Sequence, residues 1–157
     1  MEKKPCLIRA TDLKTREDTF SHPWNPNSLV RGVHLSAQVG LQRTGVSVVH
    51  IPPGKESFIY HSHQFEEEWI YILSGRGIAE IDGQEHEVGP GDFMGFATPS
   101  VAHHLKNPFV EELTYLMGGE SREYEVADFP KLGRRMVRCR NERVIYDLES
   151  GKAFEYT

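Results

Sequence analysis

The sequence has few cysteines and no long apolar run. Only Cys6 and Cys139 of the 157 residues are cysteines, and they lie near opposite ends of the chain. Nothing in their spacing requires a disulfide and the polar N-terminus does not resemble a secretory signal, so we expect reduced thiols in a cytoplasmic protein. Because no stretch of about 18 apolar residues occurs, we expect neither a membrane-spanning helix nor a membrane partner.

Positive charge is also scarce. The chain has 18 Lys and Arg against 23 Asp and Glu, and its formal net charge is −5. Proteins that bind nucleic acid neutralise phosphates with clustered basic side chains. The one basic cluster here, at residues 134–138, is short and includes apolar residues. We therefore expect no nucleic acid partner.

Turn-forming residues are plentiful by comparison. Fourteen Gly and nine Pro are spread through the chain without low-complexity runs. Between them lie short segments rich in β-branched, aromatic or alternating apolar residues, at 46–51, 58–63, 68–73, 78–82, 84–88, 93–96, 101–106 and 113–117. Short strands at steady spacing predict an all-β fold, either an antiparallel sandwich or a barrel.

The two ends of the chain differ from this central region. Residues 1–30 are polar and contain two prolines three residues apart, which disfavour a helix and predict an irregular N-terminal arm. Residues 119–157 are highly charged and alternate poorly, with one further strand predicted at 143–148. We therefore expect a barrel over residues 31–118, and a C-terminal extension over 119–157 that packs on the barrel or on a partner subunit.

The segment at residues 68–73 has the strongest strand signal in the chain. Successive side chains of a strand point to opposite faces, so Trp69, Tyr71 and Leu73 share the face opposite Glu68. Both faces of this segment are apolar, and a strand of that kind is covered on both sides. Because soluble monomers avoid an exposed apolar row, we expect a homodimer in which this outer face or the flanking arms form the contact.

Three histidines and one glutamate have the spacing of metal ligands. His61 and His63 are two residues apart, so on a strand they point to the same face. Glu68 follows after a polar step that is long enough for the chain to bend back, and His103 comes from a separate strand. Four such donors from neighbouring strands can surround one ion, and mixed imidazole and carboxylate ligation suits a divalent Fe, Mn, Ni, Zn or Cu ion.

Two segments of the chain resemble the motifs of the cupin superfamily. Residues 54–75, GKESFIYHSHQFEEEWIYILSG, are similar to the first motif: a Gly, an H-x-H pair, four residues, a Glu, six residues and a Gly, with one extra residue before His61. Residues 91–107, GDFMGFATPSVAHHLKN, resemble the second motif, with Val101 in place of the usual Gly and one residue fewer after Pro99. The resemblance implies a double-stranded β-helix, also called a jelly-roll barrel, with a metal site.

Each motif leaves a choice of ligand. In the first motif Glu66 and Glu67 compete with Glu68, and the six-residue gap to Gly75 favours Glu68. In the second motif His103 competes with its neighbour His104.

Strand alternation favours His103 over His104. His103 and Leu105 share one face, whereas His104 and Lys106 share the other. Lysine belongs outside a small barrel, so His103 is predicted to point inward and His104 outward.

The expected site points to chemistry on a small molecule. Four protein ligands leave two positions of an octahedral ion for water, O₂ or substrate, and structural zinc sites are instead closed and rich in cysteine. We expect a dioxygenase-type enzyme or a sugar or keto-acid isomerase or epimerase. The alternative is a non-catalytic sensor or carrier that holds a small ligand through the metal.

Three residues are candidates for proton transfer beside the metal. His50 lies one strand before the histidine pair, Glu67 adjoins Glu68, and Tyr115 lies on a later strand. Each also has a plainer interpretation: His50 as a structural histidine, Glu67 as part of a solvated acidic turn, and Tyr115 as a core tyrosine.

Overall fold

The computed structural model of the protein describes residues 4–152, so residues 1–3 of the predicted arm and 153–157 of the predicted extension lie outside it. Fourteen strands dominate the described part. They are β1 (Asp18–Phe20), β2 (Val30–His34), β3 (Thr44–Ile51), β4 (Lys55–Glu56), β5 (Ser62–His63), β6 (Glu68–Ser74), β7 (Gly77–Ile81), β8 (Gln84–Val88), β9 (Phe93–Phe96), β10 (His103–Asn107), β11 (Leu113–Glu120), β12 (Tyr124–Phe129), β13 (Arg134–Cys139) and β14 (Glu142–Asp147).

Helical structure is limited to short pieces. There are two short α-helices, α1 (Ala10–Leu13) and α2 (Leu35–Val39). In addition, the described chain has single 3-10 turns at Lys14–Arg16, Pro130–Leu132 and Leu148–Ser150. Within residues 4–152, no helix has the length and apolar character needed to cross a membrane.

The strands form three antiparallel sheets, which confirms the predicted all-β jelly-roll fold. A six-stranded sheet has the order β1-β2-β3-β11-β6-β9, and a four-stranded sheet has the order β4-β10-β7-β8. A third sheet, β14-β13-β12-β5, joins the C-terminal strands to the histidine segment. Since the order within each sheet departs from chain order, every sheet contains crossovers between distant parts of the sequence.

The main core lies between the six-stranded sheet and the β4-β10-β7-β8 sheet. Its most deeply buried side chains have at most 1% of their surface exposed, and they come from β3, β6, β10 and β11: Ile51, Ile72, Leu105, Leu113 and Tyr115. Burying each large apolar side chain contributes roughly 1.5–3 kcal/mol. The inner faces of the two sheets therefore hold the barrel together.

Strand β6 shows the alternation predicted for residues 68–73. Ile70 and Ile72 are buried, whereas 39% of Tyr71 and 42% of Leu73 is exposed. The strand is followed by Gly75, which has a φ of 74°, in the left-handed region that favours glycine. A Cβ atom at this position would lie only 2.1 Å from the Glu112 carbonyl oxygen, so a side chain is excluded. A tight turn is therefore fixed at the glycine that closes the first motif.

The histidine segment is less regular than the predicted strand at 58–63. Only Ser62 and His63 belong to a strand, β5, and His61 makes an isolated bridge to His103. In that bridge each residue donates its backbone N–H to the carbonyl of the other, at 3.2 and 2.8 Å. The histidine pair is thus held by two different strands, β10 and β12, on opposite sides.

The C-terminal region is more ordered than its sequence pattern indicates. Besides the strand predicted at 143–148, which is observed as β14, it forms β12 and β13, and β12 pairs with β5 through Ala127↔His63. A small second core of Ile59, Ala127 and Phe129 lies beneath this sheet. The extension is therefore attached directly to the histidine segment.

The N-terminal segment contains more structure than the predicted irregular arm. Its strand β1 pairs with β2 and extends the six-stranded sheet. After β1 the chain passes over the second core, where Trp24 lies edge-on to Phe129 with ring centroids 5.3 Å apart. This aromatic contact holds the segment over the C-terminal sheet.

Candidate functional site

Four predicted ligands direct donor atoms at one another inside the barrel. The Nε2 atoms of His61 and His63 lie 3.1 Å apart. Oε2 of Glu68 lies 3.3 Å from Nε2 of His63 and 3.8 Å from Nε2 of His61. On the other side of this carboxylate, Nε2 of His103 lies 3.1 Å from the same oxygen. His61, His63 and Glu68 form the tightest group, with one donor atom each within 4.8 Å of the others.

Neighbouring strands position these side chains. Glu68 begins β6 between Gly119 of β11 and Phe96 of β9, so its backbone is paired on both sides. His103 begins β10, and its ring stacks on Phe96 with centroids 3.5 Å apart and planes 4° from parallel. The glutamate and the last histidine are therefore held rigidly by the barrel wall.

All three imidazoles turn their second nitrogen toward an oxygen atom. Nδ1 of His61 lies 2.6 Å from the Ile59 carbonyl oxygen, and Nδ1 of His103 lies 3.1 Å from that of Val101. Nδ1 of His63 lies 3.4 Å from Oε1 of Glu125. A proton on each Nδ1 leaves each Nε2 with a free lone pair, which is how metal-bound histidines are commonly oriented.

Electrostatics in the cluster favour a positive charge at its centre. Burial lowers the pKa of His61 to about 4, so this imidazole is neutral at pH 7. Burial also opposes protonation of His63, but the hydrogen bond to Glu68 and the charges of Glu68 and Glu125 raise its pKa overall. Burial tends to raise the pKa of Glu68 as well, yet hydrogen bonds from His103 and His63 hold it well below its usual range. Glu68 is therefore an ionised donor.

The donor set fits a transition metal ion. Neighbouring ligands about 2.1 Å from an octahedral ion are about 3 Å apart, close to the separations of 3.1 and 3.3 Å between the His61, His63 and Glu68 donor atoms. The third separation, between His61 and Glu68, is longer at 3.8 Å, and His103 contacts the group through Glu68. Imidazole nitrogen with carboxylate oxygen suits Fe, Mn, Ni, Zn or Cu. His61, His63 and Glu68 therefore have the donor atoms and approximate spacing of the metal site that the motifs imply.

A cavity of about 450 Å³ opens beside the ligands. One wall contains His61, His63 and Glu68, and the remaining walls are largely apolar, with Phe58, Ile59, Met117, Phe129 and Met136. Besides the ligands His61 and His63, the basic side chains among the described lining residues are His22 and His34, and none is a lysine or arginine. The cavity has the size of a small-molecule site.

The three candidates for proton transfer lie in different places. Glu67 lines the cavity, is exposed, and makes no side-chain hydrogen bond or ion pair within residues 4–152. Tyr115 lies deeper, in a small space beside His61, Glu68 and His103, and burial together with the Glu68 charge raises the pKa of its hydroxyl, which stays protonated.

His50 is not brought to the cluster. Its Nδ1 lies 2.9 Å from Oγ1 of Thr114, and its ring faces the carboxylates of Glu17 and Glu112 on the six-stranded sheet. His50 therefore does not line the cavity, because Thr114 and the two carboxylates hold its ring elsewhere, and these contacts agree with its alternative interpretation as a structural histidine.

His104 lies on the opposite face of β10 from His103. Its ring is near Glu56 and Glu80, at 3.6 and 3.7 Å, and edge-on to Tyr60. It is 7% exposed, so the outward-facing side of this strand is itself covered by other residues.

Two acidic residues near the site make buried contacts that the sequence motifs do not indicate. Glu66 is buried and accepts from the Arg138 guanidinium and from the Arg122 backbone N–H. Glu125, on β12, is 1% exposed and faces His63. The alternation of Glu125, Ala127 and Phe129 on one face is the only sequence feature that could have indicated its burial.

The chain is similar to known proteins. The model of the Cupin domain family matches residues 47–119. An uncharacterised protein of Methanocaldococcus jannaschii is 35% identical over 103 residues, which is 64% of this chain and 80% of that protein.

Two solved structures are similar over most of the chain. A "Putative sugar phosphate isomerase" from Acidithiobacillus ferrooxidans has a TM-score of 0.90 and 32% identity, with 96% of this chain and 97% of that chain covered. A sugar phosphate isomerase from Silicibacter pomeroyi has a TM-score of 0.73 and 21% identity, with 80% of each chain covered, and shows the likeness of fold alone.

Proposed function

The chain belongs to the cupin superfamily, and on that premise we propose that it is a metal-dependent enzyme that moves a proton on a small hydroxy-carbonyl compound, in an isomerase- or epimerase-type reaction. The observation that carries the proposal is the orientation of the three imidazoles, whose Nδ1 atoms all face oxygens. His61, His63, Glu68 and His103 would hold the ion. When bound, it would polarise a carbonyl oxygen of the substrate as a Lewis acid.

Glu67 supports a proton-transfer reaction. Its carboxylate lines the same cavity as the ligands, and no cation within residues 4–152 is paired with it. A carboxylate in that position can accept a proton from the carbon next to the carbonyl, while the electron pair of the C–H bond moves toward the carbonyl oxygen. Return of the proton to the former carbonyl carbon, with transfer of the hydroxyl proton to the former carbonyl oxygen, gives the isomer. Release of the abstracted proton to solvent and delivery of a solvent proton to the same carbon from the opposite face give the epimer.

The cavity walls limit the substrate. A volume of about 450 Å³ accepts a monosaccharide or a single ring. Apolar side chains such as Phe58, Met117 and Phe129 exclude bulk water and strengthen polar interactions at the ligands.

The name of the Acidithiobacillus ferrooxidans relative supports isomerase chemistry, but the cavity argues against a phosphorylated substrate. Phosphate groups are usually bound by Arg or Lys, and the described lining residues include neither. Apart from the ligands His61 and His63, their basic groups are His22 and His34. Four glutamates line the same cavity. We therefore propose an uncharged hydroxy-carbonyl compound in place of a sugar phosphate.

A substrate screen in D₂O tests the proposal. Protein reconstituted with each of Fe²⁺, Mn²⁺, Ni²⁺, Zn²⁺ and Cu²⁺ is incubated with aldose and ketose pairs, their phosphates, keto acids, diketones and catechol-type acids. The expected result is metal-dependent deuterium incorporation beside the carbonyl of an uncharged substrate, detected by NMR and lost in Glu67→Gln.

Two other outcomes would contradict the proposal. Metal-dependent O₂ uptake without isomer formation would identify a dioxygenase-type enzyme. Tight binding of a compound with no conversion under any of the five metals would identify a sensor or carrier.

A further inference from the structure

Glu125 has a buried carboxylate beside the proposed ligands. It is 1% exposed, and its Oε2 atom has no hydrogen-bond partner within residues 4–152. Burying a charged carboxylate is costly unless it is paired. The ring of His63 faces it, and the Nδ1 atom of that ring is also buried and has no hydrogen-bond partner among the described residues. The carboxylate of Glu66 lies within 4.8 Å of both groups.

The geometry brings these two groups together. Nδ1 of His63 and Oε1 of Glu125 are 3.4 Å apart, a few tenths of an ångström longer than an ordinary N–H···O bond. The same oxygen accepts the backbone N–H of Gln64 at 3.0 Å and that of Phe65 at 3.4 Å. Glu125 therefore holds the chain directly after His63 as well as facing its ring.

We propose that Glu125 is a positioning residue of the metal centre: its carboxylate accepts the Nδ1–H of His63 and directs the Nε2 lone pair toward the ion. A carboxylate behind a metal-bound histidine fixes the ring tautomer and makes the coordinating nitrogen more basic. The inference rests on the proposed metal site. Through Glu125, the C-terminal strands at residues 124–147 would contribute to the orientation of a metal ligand.

A second metal ion is the competing explanation for this cluster. His63, Glu66 and Glu125 can bring one donor atom each within 4.8 Å of the others. However, Glu66 already accepts from the guanidinium of Arg138, a half-buried fixed cation. A guanidinium cation at that position repels a metal ion. We therefore infer that His63, Glu66 and Glu125 do not bind a second ion, and that Glu125 acts on the site formed by His61, His63, Glu68 and His103.

The variant Glu125→Gln tests this role. It keeps a side-chain oxygen for the backbone N–H groups of Gln64 and Phe65 but removes the charge. The matched control is Asp128→Asn on the same strand, which removes a carboxylate bound to Arg135 and does not touch His63. Dissociation constants for Zn²⁺ and Co²⁺ are measured by competition with a chromophoric chelator, together with the visible spectrum of the Co²⁺ protein and the melting temperature of each apoprotein.

The expected result separates positioning from general stability. Glu125→Gln should bind both ions about 10- to 100-fold more weakly than wild type and shift the Co²⁺ absorption bands. Asp128→Asn should keep the wild-type dissociation constant and spectrum even if its melting temperature falls. Equal affinity and an equal spectrum in Glu125→Gln and wild type would overturn the inference.

A measurement on wild-type protein decides the question even if Glu125→Gln does not fold. In the ¹⁵N NMR spectrum of the Zn²⁺-loaded protein, His63 should be protonated at Nδ1, with a slowly exchanging Nδ1–H proton. Coordination of His63 through Nδ1, or a stoichiometry of two ions per chain, would overturn the inference while leaving the metal site itself intact. A wild-type protein that takes up no metal would refute both this inference and the proposed function.

Discussion

Nε2 of His61 lies 3.1 Å from Nε2 of His63, while the Nδ1 atoms of the two rings face the Ile59 carbonyl oxygen and the Glu125 carboxylate. Without an ion, a proton on Nε2 of His63 can be shared with Nε2 of His61 and Oε2 of Glu68, which lies 3.3 Å away. A bound metal ion would take the place of that proton between the same three donor atoms.

The ligand in the second motif can be identified by comparing two single variants. His103→Ala should lose most Zn²⁺ affinity, because it removes the imidazole 3.1 Å from Oε2 of Glu68. His104→Ala should keep the wild-type Zn²⁺ affinity and lower the melting temperature, because it leaves a cavity in the buried space beside Tyr60. The opposite pattern of Zn²⁺ binding, measured by calorimetry, would show that His104 is the ligand.

Catalysis should depend on the charge of Glu67. Glu67→Gln should lower kcat by about 10²- to 10⁴-fold, the usual contribution of a general base. Metal affinity and melting temperature should not change, because the side chain is exposed and unpaired. Glu123→Gln, an exposed carboxylate outside the cavity, serves as the control. A kcat for Glu67→Gln equal to that of this control would exclude Glu67 as the base.

Acid stability should depend in part on Glu80. Burial tends to raise the pKa of this carboxyl, but hydrogen bonds from Lys131 and Lys106 outweigh it and lower the pKa. A carboxyl with a lower pKa in the folded state stabilises the fold above its unfolded-state pKa, and this stabilisation is lost as the pH falls.

Urea unfolding at two pH values measures this effect. At pH 7, Glu80→Gln should be less stable than wild type by about 1–3 kcal/mol. At pH 3.5 the difference should be smaller, because protonation removes part of the contribution in wild type. The exposed Glu149→Gln variant is the control. A difference between wild type and Glu80→Gln that is independent of pH would contradict the assignment.

The outer face of β6 should form the contact of a homodimer. Tyr71 and Leu73 are 39% and 42% exposed, and Phe93 beside them is 64% exposed, so residues 4–152 of one chain leave this row uncovered. Light scattering should give twice the monomer mass of 17.9 kDa. Leu73→Lys should shift the protein toward monomer, whereas Val110→Lys, an exposed apolar residue elsewhere, should not. A wild-type monomer at micromolar concentration would refute the dimer.

Much of the barrel could be predicted because its signals are local. The alternation in β6 and the glycine turn after it are encoded within a few residues, and the structure reproduces both. The inward direction predicted for His103 also follows from alternation, and the structure places this ring beside Glu68. By contrast, the burial of His104 depends on Tyr60 and Glu80, which are distant in sequence.

The C-terminal sheet could not be predicted in the same way. Strands β12 and β13 contain charged residues that pair with each other or with distant groups, such as Asp128 with Arg135 and Glu66 with Arg138. Because these charged residues occupy strand positions, the sequence does not show the regular apolar alternation on which a strand prediction depends. The burial of Glu125 could not be predicted either, since the ring that it faces, His63, belongs to another part of the chain.

Metal content is the most direct test of the central claim that His61, His63, Glu68 and His103 bind one transition metal ion. Elemental analysis of purified wild-type protein after metal reconstitution should give about one equivalent per chain, and the ion should leave as the pH falls, because a histidine that takes up a proton at Nε2 can no longer bind it. The His61→Ala/His63→Ala variant should contain almost none, whereas His22→Ala/His34→Ala, which removes two cavity histidines outside the ligand set, should keep the wild-type amount. Equal metal content in wild type and His61→Ala/His63→Ala, or none in wild type, would contradict the account.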